Sequence, residues 1–221
     1  LYPMDYEEFK WALGDNTAIP QLRMLFDKKL SLGDAVTRKL MRDFRIYMVV
    51  GGMPQAVDTY IETNNLMEVD RVKRNIIQLY EDDFYKIDSS GRLSMLFDAI
   101  PAQLNSNASR YQVASAIGSN TNSDKVLQLI SELRESMTIN MAYHANDPGV
   151  GMSLVMNLNR YKMYIGDTGL FITLAFKDKD FTENIIYQKL MSDKLDTNLG
   201  YVYENMVAQM LTATGNRLFY Y

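Results

Sequence analysis

Apolar residues recur at helical spacing along the first part of the chain. Over 35–50, Val36, Leu40, Phe44, Tyr47 and Met48 fall on one face, predicting a helix with Asp34 as N-cap and Gly51 as C-cap. Pro54 then occupies a first-turn position, with Ala56, Val57 and Tyr60 on the next apolar face. A third helix is expected over 70–85 through Val72, Ile76, Leu79 and Tyr80. This region reads as a small all-helical module.

The pattern changes after the turn formers Asp88-Ser89-Ser90-Gly91. A helix over 92–104 should kink or break at Pro101. Ser109-Arg110-Tyr111-Gln112 fits a capping box that opens a short helix ending near Gly118. Asp124 begins another helix, with Val126, Ile130, Leu133 and Met137 as its apolar stripe. Alternation over 138–143 predicts a strand, with 154–158 and 161–165 pairing back to it across turns that include Asn146 to Gly149. Helix, helix, turn, helix and ribbon is the winged-helix order. Beyond Asp167 come a dense apolar run over 170–176, a charged loop over 177–180, and a helix over 199–214 ending at Gly215. That helix should turn Val202, Met206, Val207, Met210 and Leu211 inward. A terminal strand over 217–221 follows, and helix then strand suggests the opening of an α/β module. The fold class expected is mainly α with a small β component. Leu1 at one end and an unpartnered aromatic strand at the other suggest a segment of a longer polypeptide.

Composition narrows the chemistry. The 221 residues are 47% hydrophobic and 23% charged, ordinary for a globular chain. With no cysteine there is no disulfide, no thiol nucleophile and no thiolate metal site. A single histidine, His144, cannot supply an H-E-x-x-H zinc site and reads as an incidental surface residue. The chain carries 23 basic and 27 acidic side chains, net −4, which argues against a protein that coats nucleic acid. No apolar run approaches bilayer length, and a cytoplasmic location is expected.

Motifs with complete chemistry are scarce. No glycine is followed by lysine, so the G-x-x-x-x-G-K-[ST] phosphate loop is missing. Gly149-Val150-Gly151 lacks its third glycine and reads as a hairpin turn. Glu81, Asp82 and Asp83 are adjacent, so on a helix they fan apart and suit a solvated surface. Glu204 lies beside the apolar face of the last helix, but one carboxylate does not build a magnesium site. The expected recognition helix exposes Asp124, Lys125, Gln128, Ser131, Glu132 and Glu135, a poor match to phosphates. Arg38, Arg42 and Arg45 share one helix face, which is either solvated or turned to a nucleotide phosphate or acidic partner. The 15 methionines suit adaptable core packing.

Several segments together resemble a known family. Leu1-Tyr2-Pro3-Met4-Asp5-Tyr6-Glu7-Glu8-Phe9 and Gly51-Gly52-Met53-Pro54-Gln55-Ala56-Val57 resemble the end of the core and the lid of a bacterial and archaeal AAA-type P-loop ATPase family. Tyr161-Lys162-Met163-Tyr164-Ile165-Gly166-Asp167-Thr168-Gly169-Leu170 and Gly200-Tyr201-Val202-Tyr203-Glu204-Asn205 resemble the domain of unknown function that follows that core. The resemblance implies a tail of the ATPase core over 1–20, a helical lid over 21–88, a winged helix over 89–166, and the start of a restriction-endonuclease-like module over 167–221. It implies a Walker-bearing core outside this segment that holds ATP and magnesium, with no cofactor on this segment and no complete catalytic motif. Gly52 and Pro54 are implied as nucleotide-contacting positions, and Glu204 as a remnant of a nuclease-like metal site. The function implied is the regulatory and effector portion of the ATPase, with the ATPase core as its partner. Two other readings are open: a winged-helix DNA-binding protein, or a protein-interaction module of a toxin–antitoxin or defence system that pairs through its terminal strand.

Overall fold

The structure is a computed structural model that describes residues 2–119, 122–147, 149, 151–192 and 199–221. It is mainly helical with one small mixed sheet. Helix α1 (Tyr6–Ala12) begins with a capping box in which Asp5 accepts from the Glu8 amide and the Glu8 carboxylate accepts from the Asp5 amide. Neither α1 nor α2 (Ala18–Asp27) follows from the apolar spacing. Helix α3 (Asp34–Val50) starts one residue earlier than expected: Asp34 is its first residue, and Gly33 is the cap. Its end is as expected, with Gly51 at φ 85°, a conformation glycine adopts without steric cost. Pro54 opens α4 (Pro54–Thr63), and Asn65 caps the long α5 (Leu66–Ile87) through the Met67 amide.

Pro101 divides the expected helix into α6 (Arg92–Asp98) and α7 (Ile100–Asn105). The capping box at 109–112 does not form. Gln112 is itself the N-cap of α8 (Val113–Ile117), and its amide donates to Gln103 Oε1 at 2.6 Å. Helix α9 (Ser123–Glu135) turns Leu129, Ile130 and Leu133 inward. Met137 lies beyond its end at φ 58° and is exposed. Strand β1 (Ile139–Ala145) pairs antiparallel with β2 (Met156–Ile165), with a register shift at Tyr143/His144. Met152–Leu154 forms a short 3-10 turn where the ribbon was expected to begin. Pro148, Val150 and the turn at 120–121 lie outside the described residues.

The apolar run at 170 becomes α10 (Thr168–Leu174), buried along its whole length. Helices α11 (Ile185–Met191) and α12 (Gly200–Ala213) follow. The terminal strand β3 (Leu218–Tyr220) finds its partner within the chain, pairing parallel with β1 to give the order β2-β1-β3. One apolar core runs from Phe9 and Tyr47 through Phe97 and Phe171 to Met206.

Three close approaches knit the centre of this core. Tyr47 Oη donates to Met4 O at 2.6 Å, and Met4 and Gly52 pair through the backbone at 2.8 Å. A Cβ on Gly52 would stand 2.1 Å from Met4 O, and one on Gly169 would stand 2.5 Å from Val50 O. Gly169→Ala should therefore cost about 1–3 kcal/mol through forced displacement of backbone. Gly151→Ala, which meets only Leu154 at 3.6 Å, should stay within about 0.5 kcal/mol. Urea unfolding of the two variants measures the difference.

Candidate functional site

The segments that carry the family resemblance converge on one buried junction. Asp167 is the N-cap of α10, and its carboxylate accepts from the Leu170 amide at 2.8 Å and, across the fold, from the Gly52 amide at 2.6 Å. A Cβ on Gly51 would collide with the same carboxylate. Gly51 is therefore needed where backbone meets the buried anion, and Gly52 where it meets the Met4 backbone.

Lysine 73, on α5, faces this junction with no exposed surface. Its ammonium donates to Val49 O at 2.6 Å, Gly169 O at 3.2 Å and Tyr187 Oη at 2.7 Å, so its three N–H groups have three acceptors. Tyr187 passes the chain on by donating to Asp70 Oδ1 at 2.7 Å, where Thr173 also donates at 2.8 Å. Arg74 closes Asp70 from the other side at 2.7 Å and holds the carbonyls of Lys177 and Lys179. Two carboxylates and two cations make the network neutral.

A second layer lies on α12. Asn205 accepts from the Ile165 amide and donates to Ile165 O, while Gln209 one turn on accepts from the Thr168 amide and hydroxyl. Gln209 also reaches Tyr47 Oη at 3.3 Å, which returns the chain to α3. The buried face of α12 is therefore partly polar. Val207, Met210 and Leu211, expected inside, are exposed, whereas Val202 and Met206 are buried as expected. The same exchange occurs on α5, where Leu79 is exposed and Asp70 and Lys73 are buried.

Burial sets the electrostatics. It pulls the Lys73 ammonium down to about 8, against the pull of Asp70 and Asp167 in the other direction. It pushes the Asp167 carboxyl up, opposed by the Gly52, Leu170 and Gly169 amides and by Lys73. Burial also acts to raise Asp70, but Arg74, Tyr187, Lys73 and Thr173 outweigh it and its carboxyl lies below its usual range.

The residues expected to form sites fall in different places. Gly52 is buried with its amide committed to Asp167, while Pro54 is exposed at the start of α4. Glu204, on α12, accepts from Lys162 Nζ at 2.7 Å and Tyr164 Oη at 2.8 Å. Burial and this contact push the Tyr164 hydroxyl far up. No group of three or more carboxylate or imidazole side chains able to hold a metal ion occurs among the described residues. Glu81, expected in solvent, accepts from Lys177 at 3.1 Å, and the same ammonium meets Asp98. The junction itself was missed because its charged members interrupt the apolar stripes by which buried faces are found; the pairing of two glycines with a distant aspartate was the available signal.

Between α8, α9 and the ribbon lies a groove of about 570 Å³, lined by Val126, Ile130, Met141 and Tyr161 with Leu127 and Leu158 at its edge. Its chemistry is apolar, with Arg134 as the charged residue of its lining. No helix among the described residues is long and apolar enough to cross a membrane.

The fold and junction define a mainly helical domain organised around a buried ion network. A family described as a domain of unknown function (DUF8612) matches residues 41–180, more than half of the chain, and the chain belongs to that family. The matched span contains Gly52, Asp70, Lys73 and Asp167, but not α12 or β3. No curated protein and no solved structure matches the chain.

Removing Lys73 takes the ammonium donor from the buried Val49 and Gly169 carbonyls and the Tyr187 hydroxyl, and the nearby positive charge from Asp70 and Asp167. Lys73→Met should cost about 3–5 kcal/mol at neutral pH. The pH dependence has a fixed sign. The unfolded lysine keeps its proton to its ordinary 10.5, while the folded one releases it near 8. Between those values the unfolded state binds more protons, so this residue makes stability rise with pH. Denaturant titrations at pH 7, 8 and 9 should show the wild type gaining on Lys73→Met across that window.

Proposed function

We propose that the chain is the regulatory and effector portion of an AAA-type ATPase, relaying the nucleotide state of a P-loop core to the helix–ribbon unit. In this reading ATP and magnesium belong to the core, and the Pro54 end of α4 faces the nucleotide. The observation that carries the proposal is the Gly52–Asp167 bond, which ties the loop before Pro54 directly to α10. A displacement of that loop is passed to α10 and, through Gln209 and Asn205, to α12 and β2. The α2–α3 arm adds support. Phe26 is 80% exposed, and Met24, Leu30 and Val36 nearby in sequence are exposed as well, apolar side chains suited to packing on a neighbouring domain. The proposal places the protein in the cytoplasm, and leaves Glu204 as a remnant carboxylate of a nuclease-like module rather than a working metal ligand.

Hydrogen exchange on the native polypeptide or complex that carries this chain tests the relay. ATP should slow exchange at 51–60 and change it at 167–174. Unchanged exchange with ATP, or a native assembly without a P-loop protein, contradicts it. The isolated chain should turn over no ATP; turnover proportional to its concentration would also contradict the reading.

The groove beside α9 favours a second reading, a protein-interaction module of the toxin–antitoxin or defence kind, over a reader of duplex DNA. Asp124 and Glu135 are exposed on α9, and exposed Leu127 and Leu158 edge the groove. Duplex DNA should show no saturable binding at about 50 mM salt. Binding abolished by Lys125→Gln and Arg134→Gln would restore the DNA-reading alternative.

A further inference from the structure

The face of the sheet toward α12 carries a cluster that the relay does not use. Tyr111 donates its backbone amide to Tyr161 O at 2.7 Å, which sets Arg110 alongside residues 160–162 of β2. Arg110 and Lys162 line the same narrow cleft. Lys162 Nζ lies 5.5 Å from the centre of the Tyr220 ring. Burial pushes the Tyr220 hydroxyl up, opposed by the nearby Arg160 and Arg110 guanidiniums. His144 is the register partner of Tyr220 across β1 and β3, and their rings meet edge to face at 5.2 Å.

Two features of this cluster are unexplained by folding alone. Arg110 and Arg160 have no carboxylate partner among the described residues. Tyr220 Oη and His144 Nδ1 are both buried polar atoms without a hydrogen-bond partner. Unsatisfied buried donors and acceptors are costly, and in native proteins they commonly mark a bound water or ion. Glu204 neutralises Lys162 at 2.7 Å, which leaves two guanidinium charges uncompensated.

We infer that Arg110, Arg160 and Lys162, together with the Tyr220 hydroxyl and the His144 imidazole, form a binding site for a phosphoryl anion. Guanidinium forks match phosphate oxygens in pairs, and a hydroxyl and an imidazole N–H complete the donor set. Two uncompensated positive charges suit a phosphoryl dianion. The inference is of binding: Glu204 is held by Lys162 and Tyr164, and no group of three or more carboxylate or imidazole side chains able to hold a metal ion occurs among the described residues. Lys162, the partner of Ala142, and Tyr220, the partner of His144, alternate with Met141 and Tyr143 of the apolar groove, and Arg160 lies in the irregular stretch of β2 beside them. The inference therefore stands whether or not the relay reading holds.

The chain's single histidine provides a direct reporter. Imidazole NMR signals of His144 are followed in the full chain during titration with inorganic phosphate, with adenosine monophosphate and with a single-stranded 12-mer DNA, at about 50 mM salt. A saturable shift is expected, and Arg110→Gln/Arg160→Gln should weaken it at least tenfold while its thermal midpoint stays near wild type. Lys28→Gln/Lys86→Gln, which removes two charges elsewhere, should keep the wild-type affinity. Saturation by phosphate and the mononucleotide supports the site with a free phosphate as source. Saturation by the oligonucleotide alone, weakening with salt, supports it with a strand backbone as source. No saturable shift with any of the three probes overturns the inference. Unchanged affinity in the arginine variant, or an equal loss in the lysine control, overturns it as well.

Discussion

The carboxylate of Asp167 has to be buried, and the arrangement around it follows from that constraint. A buried anion is tolerated only when donors surround it. The Leu170 amide is a local donor that also caps α10, but the Gly52 amide comes from the far side of the fold. Gly51 and Gly52 admit the carboxylate and the Met4 backbone to distances that side chains forbid. Lys73 then joins Val49 O at the C-terminal end of α3 to Gly169 O in the first turn of α10 and reaches Asp70 through Tyr187. Helices α5, α10 and α11 and the Gly51–Gly52 loop meet through a few polar contacts whose partners are more than 90 residues apart in sequence.

Such a network makes poor sense as a means of maximising stability. An apolar core of the same volume is often as stable as a buried ion cluster, and often more so. What the charges add is geometric selectivity. Apolar side chains tolerate sliding, whereas an ammonium with three fixed acceptors does not. This rigidity suits the proposed relay, in which a displacement at the Pro54 loop would be passed on rather than absorbed. The exposed α2–α3 arm and the apolar groove by α9 then lie on separate parts of a stiff body, with the basic cluster on another face of the sheet.

The elements with clean apolar spacing were legible in the sequence, including the main part of α3, α4, α5, α9 and α12, and the β1–β2 ribbon. The glycine and proline punctuation at Gly51, Pro54, Pro101 and Gly118 placed their ends well. Legibility failed where tertiary context overrides pattern. Helix α1 depends on a capping box and on packing of Tyr6 and Phe9 against Tyr47, which spacing alone does not reveal. On α5 and α12 the periodicity named Leu79, Val207 and Leu211 as interior because a charged or amide residue is ordinarily assigned to solvent. Asp70, Lys73, Asn205 and Gln209 are interior because each finds a partner distant in sequence, and pairing across that separation leaves no local trace. The motif residues were recognised without their purpose. Gly52 and Asp167 stood in two separate segments of the resemblance, and the structure joins them by a hydrogen bond.

That bond also permits the most direct measurement of the account. If the junction makes the helical first half and the sheet-bearing second half one mechanical unit, the amides of Gly52 and Leu170 open only when the whole chain unfolds. Native-state hydrogen exchange with increasing denaturant should give both amides the same opening free energy and the same denaturant dependence as global unfolding. Exchange of either amide through a smaller opening, with shallow denaturant dependence and the rest of the core still protected, would contradict the claim that the junction joins the two halves.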